Sequence, residues 1–434
     1  MSLAERDRTA LGGPQRPRAE RWPPDPPSGD TGRSLGQLAL IVLVVVAAAL
    51  ATHTTDLLVV ILALIVMIML HELGHFATAK WSHMKVTEYF LGFGPRLWSV
   101  RRGETEYGIK ALPLGGYVKI VGMSNLDEVD PADEPRAYRQ QPFHNRLLVA
   151  VAGSAMHALM ALVLLWGFFA FVGVVPANGT VRIQSFVPLG NGADPARAAG
   201  LRQGDIVTSV DGRRLTGPDM FTRIVTAHSG KPVPIGVTRG ATRTTVVVTP
   251  AVDTAGTDKG KARIGVELEV LPVRYGPLKG VGHAVTGFGT EVSASVSALG
   301  QIFSPHGLSQ YWHDLTNAKA ATASEHSQVR IQSIYGAVRT AVQGAESGVG
   351  GLLLVLIAIN IFVGMLNLLP MLPLDGGHVV IAVYERIRSR RGRMYHADVR
   401  KLLPVAYVFV LALGFVVVSA LYLDVTHPLA NPFH

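Results

Sequence analysis

Apolar residues dominate five stretches of this chain: Gln37 to Ala51, Leu57 to Ala79, Leu147 to about Val175, Gly350 to Leu369 and Val405 to Leu423. An α-helix rises ~1.5 Å per residue, so about 20 apolar residues in a row cross the hydrocarbon core of a bilayer. The last four runs reach that length. The first is short but extendable at its ends, and Thr52-His53-Thr54-Thr55-Asp56 makes a tight polar connection to the second. The pattern predicts a polytopic α-helical membrane protein with a four-span core and an extra N-terminal span.

Between the runs the pattern changes. Residues 1–36 are polar and rich in proline, without a signal peptide's layout, and read as a disordered tail. After the extra span at 37–52 and the span at 57–79, residues 80–145 carry short β-prone pieces punctuated by Gly92, Gly94, Pro95, Pro113, Gly115 and Gly116. Hairpins follow from that spacing, and two readings stay open: a β-structured flap near the candidate site, or an ordinary surface loop. The next span is set at 146–175. Residues 176–271 then alternate as short strands (Thr180–Phe186, Asp205–Val210, Val233–Thr238, Thr242–Thr249, Ala262–Glu269) with one helix at Pro218–His228, a small β-rich domain. Residues 272–345 read as a linker, with a membrane-proximal helix at Pro277–Phe303 and a polar stretch at 304–345 anchored at the interface by Trp312 and Tyr335. A broken span at 346–385, a basic loop at 386–404, a last span at 405–424 and a tail at 425–434 complete the chain.

Composition agrees: of 434 residues 48% are hydrophobic and 16% charged. The net charge is +9, and Lys and Arg are distributed in blocks in the tail, the loop after the second run and the loop before the fifth. With five spans these three blocks share one side, which the positive-inside rule makes cytoplasmic, leaving the β-rich domain extracytoplasmic. The charge therefore reports topology, and no nucleic-acid partner is expected. There is no cysteine, so a metal here needs His and carboxylate ligands.

The second run supplies such ligands. His71-Glu72-Leu73-Gly74-His75 lies in an otherwise apolar helix, where His71 and His75 project from one face a turn apart. Each ionisable group inside a bilayer costs roughly 2.5–3.5 kcal/mol unless compensated, and three within five residues point to a cation. Glu72 is placed to take a proton from water. A catalytic zinc takes a third protein ligand and keeps one position open. Asp375 is the candidate: Pro370, Pro373, Gly376 and Gly377 break the fourth run, and a broken helix can turn Asp375 inward at the depth of His71.

Two resemblances add to this reading. Ala198-Ala199-Gly200-Leu201-Arg202-Gln203-Gly204-Asp205-Ile206-Val207, followed by Val210-Asp211-Gly212, resembles the core signature of a PDZ domain, implying capture of a peptide C-terminus along a sheet edge. HELGH in an early span, GFGP and PLGGYVK in the following loop, one PDZ-like domain and NLLPMLPLDGG in a late span resemble the bacterial site-2 protease family, in its single-PDZ actinobacterial-like branch. That likeness spans roughly 57–424. It implies an intramembrane zinc metalloendopeptidase acting in regulated proteolysis after an upstream site-1 protease, on transmembrane substrates such as anti-sigma factors or signal-peptide remnants. By motif, His71, His75 and Asp375 become Zn2+ ligands, Glu72 the general base, and Asn367 an oxyanion or substrate contact. Substrate binding is extended to Asn360, Gly115 and Gly116. Ala152-Gly153-Ser154-Ala155-Met156-His157 departs from the family's Ala-Gly-Pro-x-x-Asn, leaving His157 either as a hydrogen-bonding partner of a neighbouring helix or as a metal contact. The rival from another class is a catalytically silent zinc-binding scaffold that recruits peptides.

Overall fold

The computed structural model describes residues 31–123, 128–254, 259–317, 330–389 and 395–433. Helix α1 covers Thr31–Ala51 and turns through Thr52–Thr54 into α2, Thr55–Trp81. The helix thus begins inside the stretch expected to be a tail; the rest of that stretch, 1–30, lies outside the described residues. The apolar part of α1, Leu35–Ala51, is shorter than the other spans. It is about 26 Å long against a hydrocarbon core of ~30 Å.

Two long strands follow, β1 (Val86–Arg102) and β2 (Thr105–Ile120), and both bend. Gly92 and Gly94 take φ of +84° in β1, which bends the strand where only glycine sits without strain. The first half of β1 consequently pairs on both edges, Leu91 with Gly116 on one side and with Ile109 on the other, while Trp98 also meets Ile109. The four segments form one small antiparallel sheet, with 116–120 as an outer strand. Phe76, Tyr89 and Tyr107 pack edge-on between sheet and α2, and Tyr89 Oη donates to the Met69 carbonyl at 2.8 Å. The sheet therefore lies beside the histidine-bearing helix.

Helix α3 (Phe143–Gly167) returns across the layer and ends in a π turn at Phe168–Val172. In lipid, helices associate through close packing at small residues rather than through hydrophobic burial. Gly74 of α2 does this against α3: a Cβ there would lie 2.7 Å from the Ala152 carbonyl oxygen.

The β-rich domain contains β3 (Val181–Phe186), α4 (Pro195–Ala198), β4 (Ile206–Val210), β5 (Arg213–Arg214), α5 (Pro218–Ala227), β6 (Val233–Arg239), β7 (Thr242–Val248), β8 (Ala251–Val252), β9 (Ala262–Arg263) and β10 (Val266–Val270). Its main sheet runs β10-β3-β4-β6-β7, with β5 hung on β4. Ile183, Val210, Val233 and Ile235 are wholly buried beneath Phe221 and Val225 of α5. Each such side chain is worth about 1.5–3 kcal/mol when removed from water. Asp205 is buried as well; burial pushes its pKa up, but Arg239, at 2.7 Å, and the Arg202 amide hold it below the ordinary aspartate value.

Beyond the domain, α6 (Gly276–Ile302) packs Ala284 against Ala161, Leu165 and Ile357. The polar linker expected at 304–345 is not what forms in its described part. Helices α7 (Pro305–Thr316) and α8 (Ile334–Glu346) occupy it, each capped by a serine hydroxyl, Ser304 and Ser333. Residues 318–329 lie outside the described residues. The chain then enters α9 (Val349–Asn367), reverses over Leu368–Leu374, and continues as α10 (Asp375–Arg388) and α11 (Leu403–Thr426). Arg330 and Asp424 form a buried ion pair at 2.7 Å, with Ser333 also donating to Asp424, which ties α8 to the end of α11. Residues 390–394 of the expected basic loop lie outside the described residues. Among the described residues, four helical stretches are long and apolar enough to cross a membrane: Thr55–Trp81, Phe143–Val172, Val349–Asn367 and Val399–Thr426.

Candidate metal centre

His71 and His75 face α3 from one turn of α2, and both are nearly buried. His75 Nδ1 donates to the Val149 carbonyl at 2.8 Å. That bond fixes the ring and its tautomer, leaving the Nε2 lone pair pointing away. Asp375 arrives from the other side as the first residue of α10, where the positive end of the helix dipole favours a carboxylate.

The three side chains converge. Asp375 Oδ2 lies 3.3 Å from His75 Nε2 and 3.6 Å from His71 Nε2, and the two Nε2 atoms are 3.3 Å apart. Asp375 Oδ2 is buried without a hydrogen-bond donor, and the lone pair of His75 Nε2 faces it. A carboxylate oxygen and two imidazole Nε2 atoms packed together and cut off from water form a site suited to a cation. The edges of a tetrahedron around zinc with bonds of about 2.0–2.1 Å are about 3.3–3.4 Å long. The observed separations fit that ion, and two imidazoles with one carboxylate make a donor set that catalytic zinc takes. Among the described residues, these are the ones grouped as a metal-holding cluster.

Gly153 leaves the room. A Cβ at this position of α3 would lie 2.3 Å from His71 Cε1 and 2.4 Å from His75 Nε2. Any side chain there would push the imidazoles out of register. Sequence reasoning did not single out Gly153 or Val149, although a glycine four residues before His157 on a spanning helix is the trace they leave.

Glu72 lies next to the outer strand of the flap, and a Cβ on Gly116 would come within 3.0 Å of Glu72 Cγ. Gly115 is one residue further along, against Phe93. Asn367 closes α9, half-buried, and forms no side-chain hydrogen bond among the described residues. Asn360 is placed differently from the expectation that it binds substrate. It is buried, its Oδ1 lies 3.0 Å from His157 Nδ1, and its Nδ2 donates to the Leu356 carbonyl at 2.9 Å. Both polar atoms are engaged in helix packing. His157 thereby answers its own ambiguity: it ties α3 to α9 and rests its ring 4.9 Å from that of His71, outside the ligand cluster.

Outside the spans, Glu104 at the flap's turn receives Lys80 at 2.6 Å and both Arg136 nitrogens at 2.7 and 2.8 Å. The Arg136 guanidinium, with Lys80 adding to it, holds the Glu104 carboxyl down at about 2. This contact staples the flap to the last turn of α2.

Comparison with known proteins places this geometry in context. The family model described as Peptidase family M50 matches residues 59–413. Zinc metalloprotease Rip1 of Mycobacterium tuberculosis is 32% identical over 425 residues, covering 85% of this chain and 95% of the relative. Rip1 of Mycolicibacterium smegmatis is 34% identical with the same coverage. The Clostridium perfringens protein named Putative zinc metalloprotease CPE1693 is 28% identical over 83% of this chain and 94% of its own.

Proposed function

The chain belongs to peptidase family M50 and is a zinc metalloprotease, and from that premise we propose that it hydrolyses peptide bonds within or near membrane-spanning segments of other proteins. The observation that carries the reading is the convergence of His71, His75 and Asp375 inside a bundle of spans, with Glu72 beside an outer strand of the flap.

In this reading His71, His75 and Asp375 hold the zinc. When bound, zinc supplies Lewis acidity toward a water and a substrate carbonyl. Glu72 accepts the proton of the attacking water and returns it to the departing amide nitrogen. Val149 keeps the His75 ring aimed through the bond to Nδ1, so the site is set before substrate arrives. Asn367 donates to the developing oxyanion, a contribution of about 3–4 kcal/mol in soluble proteases. A substrate helix must unwind before its carbonyl can be reached, and an extended segment then lies along the edge carrying Gly115 and Gly116. The missing side chain of Gly116 lets that edge lie close to Glu72.

The basic blocks put the flap and the metal centre toward the cytoplasmic side and the β-rich domain outside, with α1 as the extra span. The domain acts as a PDZ module that admits a trimmed substrate by its new C-terminus, downstream of a site-1 protease. Anti-sigma factors and signal-peptide remnants are the substrate classes proposed.

The test is cleavage of a model transmembrane peptide in detergent micelles by wild type and Glu72→Gln, with zinc content measured on both. The reading expects equal zinc and a loss of roughly 10²–10⁴-fold in rate, the usual worth of a general base. Equal rates would end it.

A further inference from the structure

Asp375 reaches the histidines only if α10 is held in place, and much of α10 has little to hold it. Val380, Val383, Tyr384 and Ile387 are exposed, while Ile381, Ala382 and Glu385 are buried, as are Gly376 and Gly377 against residues 368–372. Four of these buried residues are apolar or glycine and make no directional side-chain contact. The fifth is a glutamate that is 2% exposed.

Glu385 Oε2 accepts from Arg146 Nη2 at 2.5 Å, and both side chains are buried. Its Oε1 accepts from the Ala397 amide at 2.6 Å, gathering the segment that leads to α11. Arg146 is itself fixed: Tyr138 Oη donates to its carbonyl at 3.0 Å, and its guanidinium stands 5.2 Å from the Tyr138 ring centre. Arg146 precedes Val149 by one helical turn, and Val149 accepts the bond that orients His75. Gly153, the cradle of both imidazoles, is one turn further. One face of α3 therefore bears the histidine support and the anchor for the aspartate helix. Glu385 is ten residues from Asp375, a lever of about 15 Å.

We propose that the Arg146–Glu385 pair is a positioning latch that sets where Asp375 meets the two histidines. It rests on the assignment of His71, His75 and Asp375 as zinc ligands. Apolar contacts are non-directional and set register weakly. A single buried, directional, charged contact fixes the register, as buried polar groups do in some other helix pairings.

The experiment uses the full chain in detergent micelles and measures zinc affinity by competition with a chromogenic chelator. Wild type is compared with Glu385→Gln, Arg146→Lys and Ile381→Ala, the last loosening the same helix without touching the pair. Thermal stability is recorded for each, and kcat and KM are measured on a transmembrane peptide. A positioning role predicts that Glu385→Gln weakens zinc by about 10–100-fold, the usual effect of losing a partner behind the ligands. Arg146→Lys falls between it and wild type, kcat drops with KM held, and Ile381→Ala keeps wild-type zinc affinity. Zinc affinity of Glu385→Gln equal to wild type overturns the latch, as does zinc loss that merely tracks stability across all three variants. Should Glu385→Gln not fold, Arg146→Lys against Ile381→Ala makes the same comparison. A wild-type protein that binds no zinc would bring down the ligand assignment and the latch together; intact zinc in wild type and Glu385→Gln alike removes only the latch.

Discussion

At the scale of single residues, the metal centre depends on one hydrogen atom. Gly153 has no Cβ because the imidazoles occupy the volume that it would fill, 2.3 Å from His71 Cε1. Gly153→Val is expected to abolish zinc binding while the β-rich domain, folded by its own core, still resists proteolysis; normal zinc stoichiometry in this variant would refute the cradle. The proposed ligands, His71, His75 and Asp375, and the proposed base, Glu72, were readable because charge in an apolar span is costly and sets them against their neighbours. Their supports were not. Val149 acts through its carbonyl and Gly153 through an absence, so neither differs in type from other residues of a spanning helix. Asn360 shows the reverse error. An amide in a span was taken as a substrate contact, yet a neighbouring His157 satisfies it, and only the α3–α9 packing reveals the pair.

At the scale of elements, the flap is where local pattern ran out. Gly92, Gly94, Pro113, Gly115 and Gly116 marked bends and hairpins, but pairing of one half-strand on both edges depends on contacts that no local pattern encodes. The helices α7 and α8 were missed for a related reason. Their polar residues outnumber those of a span, and their apolar sides are defined by what they pack against. The Ser304 and Ser333 caps were the legible trace. Two outcomes test the flap. Gly116→Val, whose Cβ would crowd Glu72 Cγ at 3.0 Å, is expected to slow peptide cleavage at least about tenfold with zinc content unchanged. Unaltered cleavage would show that this strand is remote from the reaction. The staple at Glu104 carries a pH dependence of definite sign. Its carboxyl is held at about 2 in the folded protein, below the ordinary glutamate value. Its stabilisation is therefore complete above that ordinary value and is lost as pH falls through the folded one. Protease protection of the flap should decline over that acid window in wild type and be weaker and flatter in Glu104→Gln. Identical profiles would remove the staple.

At the scale of the whole molecule, residues more than 300 positions apart in the chain build one site, and a separate domain sits between the halves. The spans could be read in advance because bilayer thickness fixes helix length. Which helices touch could not, since lipid gives apolar faces little reason to prefer one another and small residues decide. The buried Arg146–Glu385 contact left no sequence signal, each partner looking like one more charge near the end of an apolar run. If the inserted domain filters substrates by their exposed C-terminus, deleting 176–271 should let full-length and trimmed substrates be cleaved at equal rates. Retained discrimination would assign the filter elsewhere. The most direct measurement is the zinc affinity of Asp375→Ala beside wild type, both as full chains in micelles. The account predicts one tightly held zinc per wild-type chain and a loss of at least about tenfold in affinity without the carboxylate, because the fourth run supplies a ligand. Zinc bound to Asp375→Ala as tightly as to wild type would contradict it.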